Sequence, residues 1–121
     1  MQLEIKGIER ELRFGTGFVR KLDEVYQVNV KGMEFGAGLM IANLQLTQMN
    51  PAALSDVIRC AVKGNPKQND MDEFIDSYAE ENDGLKDLFD ELISEMGKSL
   101  VVKDTMDRAE KAKVKAETEE V

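Results

Sequence analysis

Six carboxylates, Asp72, Asp76, Asp83, Asp87, Asp90 and Glu91, come nearest by type and spacing to doing chemistry in this chain of 121 residues. Asp72 and Asp76 stand four apart and Asp87 and Asp90 three apart, so each pair shares one face of a helix. Two carboxyls can divide acid and base work, as in glycoside hydrolysis, when a cleft gives them different environments. An amphipathic helix supplies neither a cleft nor desolvation. A solvated face, or electrostatic recognition of a basic partner, accounts for these acids better than catalysis does. The Asp-rich stretches also lack the ligand spacing of a calcium loop, with its glycine and closing glutamate.

Histidine is absent, which removes the commonest proton shuttle at neutral pH and the commonest metal ligand. Cys60 is the single cysteine. It has no partner for an intrachain disulfide and no histidine to activate it, so it reads as buried filler. Two glycine steps, Phe14-Gly15-Thr16-Gly17-Phe18 and Phe35-Gly36-Ala37-Gly38-Leu39, precede apolar helical runs. Amides so placed can hold a phosphate, yet neither step continues into the lysine and Ser/Thr of a P-loop. Turns at strand-to-helix junctions are expected, with close helix packing or a hinge as the lesser reading. No catalytic residue, cofactor site or metal site is expected.

The chain is long enough for one domain with one modest core. Hydrophobic residues make up 42% and charged residues 33%, with a formal charge of −8 at pH 7. That sign disfavours nucleic acid and anionic membrane surfaces as partners. No apolar run reaches about 18 residues, and no basic-then-apolar leader opens the chain, so a cytoplasmic protein is expected. The acidity is local. Asp70 to Met96 carries 11 acidic residues against one lysine, while Met1 to Asn69 is slightly basic.

The elements that would position these residues follow from periodicity. Leu3 and Ile5, then Leu12 and Phe14, alternate about Lys6 and Gly7 and predict a β-hairpin, which needs a helix to cover it. Phe18, Leu22, Val25 and Tyr26 form a helical stripe ending near Gln27. Val28 and Val30 suit a short extended piece. Leu39, Met40, Asn43, Leu44 and Thr47 line a second helix, broadened by Ile41 and Leu46. Asn50-Pro51 restarts the helix by capping, and Leu54, Val57, Ile58, Ala61 and Val62 form its stripe up to Gly64. Asp70 and Glu73 have the spacing of a capping box before Met71, Phe74, Ile75 and Tyr78. After Asn82-Asp83-Gly84, the strongest stripe is Leu85, Leu88, Phe89, Leu92, Ile93 and Met96.

The expected fold is therefore α+β and mainly α: an N-terminal hairpin packed on four or five short amphipathic helices. Residues 1–102 form the domain. The charged tail, 103–121, has too few large apolar residues to bury a helix face and is expected to be flexible or partly helical. Leu85, Leu88, Phe89, Leu92, Ile93 and Met96 are the candidate protein-contact residues, with a place in the domain's own core as the competing role. Seven methionines suit irregular packing or an adaptable contact surface. Composition alone reaches a binding or assembly module, with a small enzyme as a remote rival.

The stretch Glu11-Leu12-Arg13-Phe14-Gly15-Thr16-Gly17-Phe18, followed by Arg20-Lys21-Leu22-Asp23 and Tyr26, resembles the opening of a phage tail assembly chaperone family. The family is that of long non-contractile-tailed phages and prophages of Gram-positive bacteria. The resemblance continues through Phe35-Gly36-Ala37-Gly38-Leu39, Asn50-Pro51-Ala52-Ala53-Leu54-Ser55-Asp56, Asp72-Glu73-Phe74-Ile75-Asp76 and Leu88-Phe89-Asp90-Glu91-Leu92. It implies a non-catalytic protein of the infected or lysogenic host's cytoplasm, absent from the finished virion. Such a protein would bind and solubilise the tape measure protein, help recruit tail tube protein, and form a homo-oligomer on the client. A longer form made by ribosomal frameshifting is a further implication. A head–tail connector, or another small adaptor or regulatory protein, is the alternative.

Overall fold

The structure, a computed structural model, describes residues 1–27 and 36–119, with side chains through Lys111. Strand β1 (Gln2–Ile5) pairs antiparallel with β2 (Ile8–Glu11), Ile5 facing Ile8. Lys6 and Gly7 both take positive φ, the two-residue turn whose twist suits a hairpin. The strand ends earlier than expected. Leu12 leaves β2 to bridge Val62, and Phe14 turns away to pack edge-on against Phe18, centroids 5.1 Å apart.

Helix α1 (Thr16–Tyr26) stops at Gln27, which adopts the left-handed conformation and donates its N–H to the Asp23 carbonyl. It buries Phe18, Val19 and Leu22, whereas Val25, expected on the stripe, is exposed. Helix α2 (Ala37–Thr47) buries Ala37, Gly38, Leu39, Ala42 and Leu46. This corrects the expected face, because Leu44 is 56% exposed. The cause is Gly38. A Cβ there would collide with the Leu22 carbonyl of α1, so α2 sets its Gly38 face against α1 and turns Leu44 outward. The extended piece expected at Val28 and Val30, and Phe35 of the second glycine step, lie outside the described residues.

Helix α3 (Pro51–Ala61) starts as its sequence predicts: the Asn50 side chain accepts from the Ala52 and Ala53 amides. Its stripe of Leu54, Val57, Ile58 and Ala61 is buried, as is Val62 beyond it. Helix α4 (Gln68–Glu81) corrects a second expectation. It begins before Asp70, with Lys67 at its N-cap and no side-chain cap. Asp70 instead pairs with Lys6 at 2.9 Å, so the capping-box spacing serves a tertiary contact.

Asp83 and Gly84, both at positive φ, make the tight link to α5 (Lys86–Gly97). Ser99 then turns the chain. Its hydroxyl donates to the Phe14 carbonyl and accepts from the Val102 amide at 3.2 Å, joining the N-terminal loop to the start of α6 (Leu100–Glu119). Of the two expectations for the tail, the helical one describes it. Val102, Thr105 and Ala109 are buried. Thr105 and Ala109 lie against Gly36, where a Cβ would come within 2.8 Å of the Thr105 methyl. The reason is local: small residues let α6 approach the start of α2 without a large apolar face.

The result is a hairpin followed by six helices among the described residues. One core joins Ile5 and Leu12 of the hairpin to residues of all six helices, from Leu22 of α1 to Val102 of α6. No helix among the described residues is long and apolar enough to cross a membrane.

Candidate functional site

The six carboxylates with chemical spacing all face solvent. Asp72 accepts from the Ser55 hydroxyl at 2.8 Å, tying α4 to α3, and Asp90 pairs with Lys86 along α5 at 2.8 Å. Neither arrangement desolvates a carboxyl pair across a cleft. Among the described residues no group of three or more His, Cys, Asp or Glu is placed to hold a metal ion. Cys60 is buried, and that burial, with Asp56 nearby, pushes its thiol up to about 11. The thiolate that a nucleophile needs is disfavoured at neutral pH.

The glycine steps differ despite their matching sequence. Gly17 has open space where a Cβ would stand, whereas Gly38 is locked against the Leu22 backbone. Asp23, one turn from the end of α1, completes the second junction. Its carboxylate accepts from the Gly36 amide at 3.1 Å and the Gly38 amide at 2.9 Å. These are orphan donors at the start of α2, so a side chain from a neighbouring helix caps it. Sequence reasoning missed this cap because Asp23 stands thirteen residues before Gly36, beyond the reach of local capping rules.

The candidate contact stripe on α5 divides. Leu88, Phe89, Leu92 and Met96 are buried. Leu85 and Ile93 are half-buried and pack on the core's margin. Ile93 and Met96 reach a groove between α2, α5 and α6, about 240 Å³ in volume, whose apolar lining also includes Leu39, Val102 and Met106. Asn43, Lys103 and Asp107 supply its polar edge. Beyond the groove's end, Leu100 is 75% exposed and Val101 is also exposed. The α6 contribution carries little hydropathy signal, because few large apolar residues follow Val102. The signal that could have found it is Val102, Thr105, Met106 and Ala109, which recur at helical spacing.

A second groove, of about 360 Å³, lies between β1 and α4. Four carboxylates line it, Glu4, Asp70, Glu73 and Glu81, against the single ammonium of Lys6. The rings of Phe74 and Tyr78, centroids 6.2 Å apart, give it an apolar wall. Burial raises the Tyr78 hydroxyl above its ordinary value, and Asp87 and Glu91 add to the rise. Both grooves are open to solvent along one side.

Comparison with protein families decides what kind of protein carries these surfaces. The family model described as phage tail assembly chaperone protein, TAC, matches residues 2–111. The chain belongs to that family. The match runs from the hairpin through α5 and into α6. No curated protein and no solved structure matches the chain. Membership in a phage tail assembly chaperone family accords with the resemblance carried by the glycine steps and the helix motifs, and it supports a role in tail assembly with protein partners.

Proposed function

We propose that the protein is a non-catalytic chaperone that binds and solubilises the tape measure protein of a long non-contractile phage tail and helps recruit tail tube subunits. The observation that carries this reading is the family match over residues 2–111. The host is a Gram-positive bacterium, and the protein acts in the cytoplasm of the infected or lysogenic cell without entering the finished virion. Ile93 of α5, with Met106 of α6 across the groove, contacts apolar side chains of the client, while Met96 and the buried Leu39 back them from beneath. Leu85, Leu88, Phe89 and Leu92 complete the α5 stripe, and its buried members anchor α5 in the core. A groove of this size holds only a few apolar side chains, so each contact is weak. Repetition along a long client, with copies associating side by side, raises the avidity while leaving each copy displaceable by tube subunits.

Coexpression with the neighbouring tape measure protein tests the reading, with mass measured by size-exclusion chromatography and light scattering. A soluble complex with many copies per client supports it. Separate species, with the client soluble and folded, overturn it and favour a head–tail connector or small adaptor, which would copurify with virions.

A further inference from the structure

The hairpin has an open edge. The Leu12 amide donates to the Met1 carbonyl at 2.8 Å, and Ile5 faces Ile8. Hydrogen-bonded pairs alternate along an antiparallel ladder, so Gln2 and Glu4 direct their backbone N–H and C=O groups away from β2. The sheet has two strands, and among the described residues no other backbone group takes these donors and acceptors. On the far side of the hairpin, Leu12 and Arg13 already engage Val62 and Ala61. Among the described residues Glu9 of β2 likewise has no backbone partner on its outer side, but it is the β1 edge, at Glu4, that borders the groove shared with α4.

A bare strand edge is a template for another strand. Here the template has length, wall and charge. From Asp70 to Glu81, α4 runs roughly 16 Å at ~1.5 Å per residue, the span of an extended segment of about five residues. The rings of Phe74 and Tyr78 offer apolar contact along that span. Glu4, Glu73 and Glu81 have no ion-pair partner among the described residues, while Asp70 is engaged by Lys6. Side chains of an added strand alternate between faces. One set would stand beside Glu4, and the other would turn toward the aromatic wall.

We propose that the groove between β1 and α4 receives an extended segment of a partner polypeptide by strand addition to β1, a segment in which lysine or arginine alternates with apolar residues. The basic side chains pair with Glu4 and the groove carboxylates, and the apolar ones rest on Phe74 and Tyr78. Backbone pairing supplies affinity and the alternation supplies selectivity. This surface is separate from the apolar groove of α2, α5 and α6 and does not depend on the identity of the client bound there.

The test uses the full chain and a fluorescent twelve-residue peptide alternating lysine and valine, titrated by anisotropy at low salt. Binding is expected, with at least a tenfold loss when glutamate replaces lysine. A comparable loss is expected when the four central amides are N-methylated, which keeps charge but removes donors. Glu73→Lys with Glu81→Lys should weaken binding at least tenfold, whereas Asp104→Lys with Glu110→Lys on α6, the same change in net charge, should alter it less than threefold. If the first variant loses its circular dichroism signal, Glu73→Gln with Glu81→Gln replaces it and should weaken binding at least threefold. No binding, full binding by the N-methylated peptide, or equal losses in the groove and α6 variants would overturn the proposal.

Discussion

Gly38 and Gly17 occupy the same place in two copies of one short pattern, and their surroundings set them apart. A methyl at Gly38 meets the Leu22 carbonyl and the Asp23 amide of α1, both backbone atoms, so the helices must separate. Gly38→Ala is expected to destabilise by about 2–3 kcal/mol, in the range of overpacking. At Gly17 the space is open and φ is not positive, so Gly17→Ala should stabilise α1 by about 0.5 kcal/mol or more through helix propensity. Urea denaturation of the two variants measures both, and equal effects would refute the distinction. Cys60 yields a pH prediction. Burial holds its folded pKa at about 11, above the ordinary value of 9. The folded state therefore keeps a proton that the unfolded chain releases, and its contribution is complete below about pH 9 and lost as pH rises toward 11. Tyr26, raised to about 12 by burial, adds to the alkaline decline in any variant. The urea midpoint of Cys60→Ala should thus fall less steeply than wild type between pH 9 and 11. Parallel curves would remove Cys60 as a contributor.

Helix α6 is the element whose packing depends most on small side chains. Thr105 and Ala109 are buried against Gly36 at the start of α2, and little large apolar surface backs them. Ala109→Arg places a long cation where only a methyl fits. Hydrogen exchange should show protection lost across α6 while the amides of α3 keep theirs, because local opening follows local packing. Loss of protection throughout the molecule would mean that α6 belongs to the cooperative core. The same contact explains what was legible in the sequence. The α3 stripe and its Asn50 cap were plain because large apolar residues recur at helical spacing behind a capping side chain. The hairpin turn at Lys6-Gly7 was plain for a similar local reason. The buried face of α2, the Asp23 cap, the ion pair of Asp70 and the packing of α6 were not, since each depends on a residue distant in sequence or on a small side chain that carries no hydropathy signal. On α5 the periodicity marked the stripe, but it cannot separate Ile93 at the groove's lip from Leu92 in the core.

For the whole molecule, the two grooves differ in the force that would drive their use. The groove of α2, α5 and α6 is apolar at its centre, whereas the β1–α4 groove is lined on its α4 side by the segment 70–96, whose 11 acidic residues against one lysine outweigh the chain's net −8. Salt screens interactions between exposed charges, with a Debye length of about 10 Å at 0.1 M and ~3 Å at 1 M, but leaves apolar burial intact. A client complex held through Ile93 and Met106 should therefore survive 0.5 M NaCl in the coexpression experiment with its copy number nearly unchanged. Ile93→Asp puts a carboxylate at the groove's lip. Because Ile93 is only half-buried, the variant should keep its fold by circular dichroism while the copies bound per client fall at least fivefold. Met96 is buried, so its substitution would confound folding with binding, and Ile93 makes the cleaner probe. If copy number collapses in salt while Ile93→Asp binds as wild type, the client is held by charge, and the acidic segment rather than the apolar groove is its docking surface.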